Sequence, residues 1–222
     1  MKIGIIGAGH IGGNLAQLLV QRGHEVAIAN SRGPQTLADV AQRTGATPVA
    51  LADAPRDAQI VVVAIPLGAV PSLPAGLVDT MAPGAAVIDT MNYYSQRDGH
   101  IAPIDDGEVS ARWVRKHLGQ PVVKVFNNIL AADLLTRSQP PATDNRRALP
   151  VTGDDWATKR MALDLVDEVG FDAVDLGDLD ESWRYQPGTP AYGPDVDAAK
   201  LVLLLNAAVR DDEQEEESAR SE

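Results

Sequence analysis

A chain of 222 residues, 45% hydrophobic, can bury a substantial core, and no apolar run approaches the roughly 18 to 20 residues that a membrane helix needs. The absence of cysteine excludes disulfides, thiolate metal sites and a cysteine nucleophile, while a net charge of -12 argues against nonspecific attraction to nucleic acid. Seven acidic residues and one Arg between Asp211 and Glu222 account for -6 of that charge, so residues 211–222 are expected to form a disordered acidic tail.

The chain opens on Lys2 to Ile6, an apolar strand too short to be a secretion signal, which places the protein by expectation in the cytoplasm. A glycine turn follows, and Asn14 to Arg22 carries Leu15, Leu18 and Leu19 at helical spacing until Gly23 stops it. Glu25 to Ala29 is the second strand, and Thr36 to Arg43 a helix closed by Gly45. The β-branched run Gln59 to Ile65 has the pattern of a parallel strand buried on both faces; Ala85 to Asp89 and Val122 to Phe126 repeat it. Arg137 to Arg147 is polar and reads as an exposed loop. Leu149 to Thr152 is then a strand, Asp154 or Asp155 caps a helix from Trp156 to Val169, Gly170 ends it, Ala173 to Leu176 is a last strand, and Val196 to Val209 a closing apolar helix. Alternating strands and helices predict an α/β Rossmann-type doubly wound parallel sheet. Residues 1–150 would form a dinucleotide-binding domain and residues 151–210 a small α/β extension packed on it, with no internal repeat and no long linker.

Gly7-Ala8-Gly9-His10-Ile11-Gly12 matches the GxGxxG pattern and, more tellingly, stands directly between a strand and a helix inside a βαβ unit. Gly7 permits the tight turn, Gly9 lets the backbone approach a pyrophosphate, and Gly12 lets helix and strand pack closely. The helix N-terminus offers free N–H groups to that pyrophosphate. At the end of the second strand, where a carboxylate would accept from a ribose 2′-hydroxyl, the chain has Asn30-Ser31-Arg32. A hydroxyl and a guanidinium favour a 2′-phosphate, so the expected cofactor is NADP(H).

These residues, with Ile65-Pro66-Leu67, Asp89-Thr90-Met91-Asn92, Gly153-Asp154-Asp155, and the run Glu168 to Gly177 with Asp178-Leu179, resemble the NADPH-dependent deazaflavin reductases, also called F-420-dependent NADP oxidoreductases. The likeness extends to about Tyr192. It implies a dinucleotide domain with a small C-terminal addition, a homodimer, and hydride transfer between NADPH and the deazaflavin ring of coenzyme F-420. Broader relatives sharing these signals leave two other readings open: an NADPH-dependent reductase of a flavin, ferric chelate, imine or carbonyl, and an NADP-binding sensor without turnover.

Ligands of open α/β sheets bind beyond the carboxyl ends of the strands. Ile65, Pro66 and Leu67 are expected to wall the nicotinamide, and Asn92 to contact it; Asn127 and Asn128 are candidates for the acceptor site, the alternative for each Asn being turn formation. His10 is a candidate for phosphate contact or proton shuttling, or an exposed turn residue. Trp183 to Pro190 is expected over the acceptor or at a dimer interface, and Arg112, Arg115 and Lys116 form a basic helix face, either anion-binding or solvated. No His and carboxylate set has metal-ligand spacing and no GxSxG elbow occurs, so metalloenzyme and hydrolase readings lack support.

Overall fold

A computed structural model describes residues 1–210; the acidic tail expected over 211–222 lies outside the described residues. Strand β1 (Lys2–Ile6) leads through the glycine turn into α1 (His10–Gln21) and then β2 (Glu25–Ala29). Helix α2 (Ala38–Thr44), the two-residue β3 (Thr47–Pro48), β4 (Ile60–Val63) and β5 (Ala86–Asp89) follow, the last two joined by 3-10 turns in which Pro71 and Pro74 interrupt any longer helix. Short helices α3 (Ser95–Asp98) and α4 (Ala102–Asp105) precede α5 (Ser110–Leu118) and β6 (Val122–Lys124). Helix α6 (Ala131–Thr136), β7 (Ala148–Gly153), α7 (Trp156–Glu168), β8 (Asp172–Asp175) and α8 (Ala198–Asn206) complete the order. Among the described residues no helix is long and apolar enough to cross a membrane.

The eight strands lie in the order β3-β2-β1-β4-β5-β6-β7-β8. Pairing is parallel from β3 through β6, as the alternation of strands and helices predicts, but β7 runs antiparallel to β6. The reason lies in α6, whose six residues rise only about 9 Å, too little to carry the chain back to the amino edge of the sheet. The chain is therefore still beyond the carboxyl edge when β7 begins. Only Thr152 and Gly153 pair with β6, opposite Lys124 and Val123, whereas Ala148 to Val151 pair in parallel with β8. The β7–β8 ribbon thus projects past the carboxyl ends of the parallel strands. The expected division after residue 150 falls inside β7.

Periodicity of two in the strands separates the two faces of the core. Ile3, Ile5, Ile60 and Val62 pack with Leu15 and Leu19 of α1 and Leu165 of α7, while Ile6, Val61, Val63 and Val87 pack with Leu67, Val70 and Trp113 on the other face. Each such buried side chain contributes about 1.5–3 kcal/mol relative to exposure. A third cluster seats Leu201 and Leu205 of α8 on Ala148, Tyr185 and Ala191. One expectation is corrected: the loop from Arg137 to Arg147 is not exposed throughout, because Arg146 and Arg147 are buried. Arg146 Nη1 is 2.5 Å from Asp167 and 3.1 Å from Asp172, and Arg147 Nη1 is 2.6 Å from Asp133. Paired in this way, both guanidinium groups serve as internal ties.

Candidate functional site

The three glycines of the turn have different reasons to be glycine. A Cβ on Gly7, whose φ is +112°, would lie 2.1 Å from the carbonyl oxygen of Ala64, and one on Gly12 would lie 1.9 Å from that of Gly7. Both positions are closed by the protein itself. A Cβ on Gly9 would meet nothing within 4 Å. Gly9 caps α1 without a side-chain hydrogen bond, and the first turn contains no acidic residue, so its free N–H groups and the positive end of the helix dipole face an open space. No contact within the described residues requires glycine there.

That space continues into a cavity of about 350 Å³ lined by Gly7, Gly9, Asn30, Ser31, Arg32, Ile65 and Pro66. Asn30 organises the second-strand exit: its Oδ1 accepts the backbone N–H of Arg32 at 3.0 Å, and its Nδ2 donates to Thr36 Oγ1 at 2.9 Å. Ser31 and Arg32 are left exposed at the rim, and the Arg32 guanidinium makes no ion pair among the described residues. Leu51, Ala69, Ser72 and Leu73 complete the wall. Sequence reasoning missed these four because they lie in 3-10 turns and their flanks, where no periodicity marks a buried face.

Two expectations shift at the turn and the β4 exit. Leu67 is fully buried in the core behind Pro66 and does not line the cavity, since the 3-10 turn it opens points its side chain inward. His10 and Ile11 occupy the first helical positions of α1, outside the cavity wall, and His10 is exposed.

Beneath the β5 exit, Asp89 and Lys124 form a buried ion pair at 3.1 Å. Asp89 Oδ1 also accepts the N–H of Met91 at 2.8 Å, and Lys124 donates to the Met91 carbonyl, so the pair fixes the turn that presents Asn92. The Tyr185 hydroxyl donates to the Lys124 carbonyl at 3.0 Å and lies 2.7 Å from Thr152 Oγ1; complete burial raises its pKa. Asn92 Nδ2 donates to the Asn127 carbonyl at 2.7 Å and its Oδ1 accepts from Asn127 Nδ2 at 3.1 Å. One amide N–H and one lone pair of Asn92 remain for a ligand.

β6 ends in a strained turn, with Phe126 at φ +63° inside the core, a rare conformation for an aromatic residue. The turn directs Asn127 and Asn128 inward, 3% and 1% exposed. Both candidates for the acceptor site are thus buried, with their amide nitrogens engaged inside the protein. Asn127 Nδ2 holds the Tyr185 carbonyl at 3.1 Å, and Asn128 Nδ2 holds that of Ala191 at 3.2 Å.

The basic face of α5 is consumed by ion pairs. Arg112 grips Asp180 with two nitrogens, at 2.6 and 2.9 Å, and reaches Asp154, which Arg115 also contacts; Lys116 pairs with Glu108. Burial alone would raise the Asp154 pKa, but the Leu179 N–H and the two guanidinium groups hold it below the ordinary carboxylate value. The 3-10 segment Leu179–Tyr185 is thereby fastened to α5. Beyond it, Trp183 and Gln186 to Pro190 form one side of a second cavity, of about 620 Å³, opposite Ile104 to Val109.

Against this geometry stand the likenesses to known proteins. The family described as NADP oxidoreductase, coenzyme F420-dependent, matches residues 2–93, which span the glycine turn, Arg32, Pro66 and Asn92. A hypothetical protein of Sinorhizobium meliloti is 30% identical, with 88% of this chain and 92% of that one covered at a TM-score of 0.69. A protein of Arthrobacter sp. FB24 described as a candidate F420-dependent NADP reductase is 25% identical, with 82% and 87% covered at 0.63. The Escherichia coli K12 protein YjhV is 41% identical over 69 residues, 31% of this chain, so the chain spans about half the length of that curated relative. By residues 2–93 the chain belongs to the family described as NADP oxidoreductase, coenzyme F420-dependent, and its likeness to the Sinorhizobium and Arthrobacter proteins runs through most of its length.

Proposed function

We propose that the chain transfers hydride between NADPH and the deazaflavin coenzyme F420. The observation that carries the cofactor half is Gly9, where the open Cβ position has no purpose in the protein but is the space a pyrophosphate needs. Ser31 and Arg32, whose guanidinium has no ion pair among the described residues, supply a hydrogen bond and a charge for the 2′-phosphate, Leu51 and Leu73 offer apolar contact to the adenine, and Ile65 and Pro66 keep water from the nicotinamide side. When bound, NADPH supplies the hydride; the chain's own part is to bind, align and dry the two rings.

The acceptor half rests on the family likeness and on the description of the Arthrobacter relative. The projecting β7–β8 ribbon and the segment after it give such a ring a wall beside the β5 and β6 exits. The test is NADPH oxidation by purified protein offered F420, FMN, an imine or a ferric chelate in parallel. Turnover with F420 supports the reading. Turnover with another acceptor alone transfers the site to a different reductase, and tight NADPH binding without any turnover makes it a sensor.

A further inference from the structure

We propose that Tyr94 and Tyr192 form a proton-delivering pair at the acceptor side of the crevice, serving an acceptor that takes hydride at carbon and a proton at a conjugated nitrogen. The proposal rests on the oxidoreductase reading and names what that site must do beyond hydride transfer. The two phenol oxygens lie 2.6 Å apart, one carried just past Asn92 at the β5 exit and the other on the strap Ala191 to Gly193. Two phenols carry two hydroxyl protons, and a single hydrogen bond between them uses one. Neither oxygen has another partner among the described residues, so the second proton is available to a ligand or to water.

The surroundings are built to keep the pair together. Asn128 holds both sides of the strap, its Nδ2 donating to the Ala191 carbonyl and its own carbonyl accepting the Gly193 N–H at 2.9 Å. Buried Arg147 donates to the Gly193 carbonyl at 3.2 Å while paired to Asp133. On the other side, the Arg97 guanidinium stands 5.0 Å from the centre of the Tyr94 ring and donates to the Asn92 carbonyl at 2.7 Å, with its charge paired to Asp98. Asn128, directed inward by the turn at Phe126, thus fixes the strap that carries Tyr192. Burial, then the hydrogen bond with Tyr94, pushes the Tyr192 pKa up to about 12, against a lowering influence from Arg97, so Tyr192 stays protonated at neutral pH. Other proton sources nearby are committed, Asp89 to Lys124 and the Tyr93 hydroxyl to Asp105.

The step balances. A C–H bond of the reduced nicotinamide breaks as a C–H bond forms on the acceptor carbon, and an acceptor π pair moves to its nitrogen. That nitrogen takes a proton from one phenol, which is restored by its partner, and the partner is restored by water.

Tyr94→Phe and Tyr192→Phe each remove one hydroxyl, and either change is expected to lower kcat for acceptor reduction by about 100-fold, the usual order for a lost general acid. NADPH affinity and melting temperature should stay close to wild type, and the pH profile of kcat should change. In the protein without cofactor, tyrosinate absorbance should show a late-ionising tyrosine whose titration moves to lower pH in Tyr94→Phe. Wild-type rates with an unchanged pH profile in both variants would overturn the pair while leaving the oxidoreductase reading intact. A wild-type protein that binds NADPH but reduces no acceptor would overturn that reading and the proposal together.

Discussion

At the scale of single residues, Gly9 and Arg32 separate binding from folding. Gly9→Val adds a branched side chain into a space the protein leaves empty, in a backbone conformation of φ -75° that valine tolerates. The fold should persist with little change in melting temperature, while NADPH binding should fall at least 100-fold, roughly 2.7 kcal/mol, because the pyrophosphate loses its approach to the backbone. Gly12→Val, which would force a Cβ within 1.9 Å of a carbonyl, is the contrasting case and should destabilise the fold itself. Arg32→Glu should weaken NADPH by about 2 kcal/mol or more and leave NADH nearly unaffected, by removing a charge-assisted contact and adding repulsion. Isothermal titration with both nucleotides decides it; equal losses for the two would remove Arg32 from the 2′-phosphate.

At the scale of elements, the ion pairs on α5 act as a fastening with a predictable pH limit. The folded-state pKa of Asp154 is depressed below 3.8, so its contribution is present above that value and disappears as pH falls through the lower folded value. Asp154→Asn should therefore cost about 1.5–3 kcal/mol near neutrality, the range for a hydrogen bond to a charged group, and the gap from wild type should close in strong acid. Urea unfolding of both proteins across pH measures that gap; a constant difference would show that the carboxylate charge is irrelevant. Elements also show what the sequence made legible. Strand β4, the glycine turn and Arg32 announce themselves by local pattern, because burial on both faces, a glycine-rich strand-to-helix turn and a missing carboxylate each leave a mark within a few residues. The reversal at β7, the burial of Arg146 and Arg147 and the inward turn of Asn127 and Asn128 leave none. Each depends on partners far along the chain, Asp133, Asp167, Ala191 and Gly193 among them, and an Arg or Asn in a polar stretch reads the same whether it is solvated or tied down.

At the scale of the whole molecule, the carboxyl edge of the sheet gathers the glycine turn at β1, the apolar wall after β4, the Asn92 turn after β5 and the strap held by the β6 exit. The glycine turn and the β2 exit were readable because they are local, whereas the contacts between the β5 exit and the strap join segments separated by about a hundred residues. The outward face of α8 bears on assembly: Leu203 is 69% exposed, with Val202 and Val209 beside it, while Leu201 and Leu205 point inward. We propose this face as the contact of the homodimer that the family resemblance implies. Leu203→Glu should then shift sedimentation from dimer to monomer without loss of NADPH binding, and a wild-type monomer at high concentration would refute it. The most direct test of the whole account is label transfer: purified protein, free of metal and flavin, is incubated with NADPH deuterated at the reactive nicotinamide carbon and with F420. Deuterium arriving on the deazaflavin ring, and returning from reduced labelled F420 to NADP, is the predicted result; tight NADPH binding with the label remaining on the nicotinamide would contradict it.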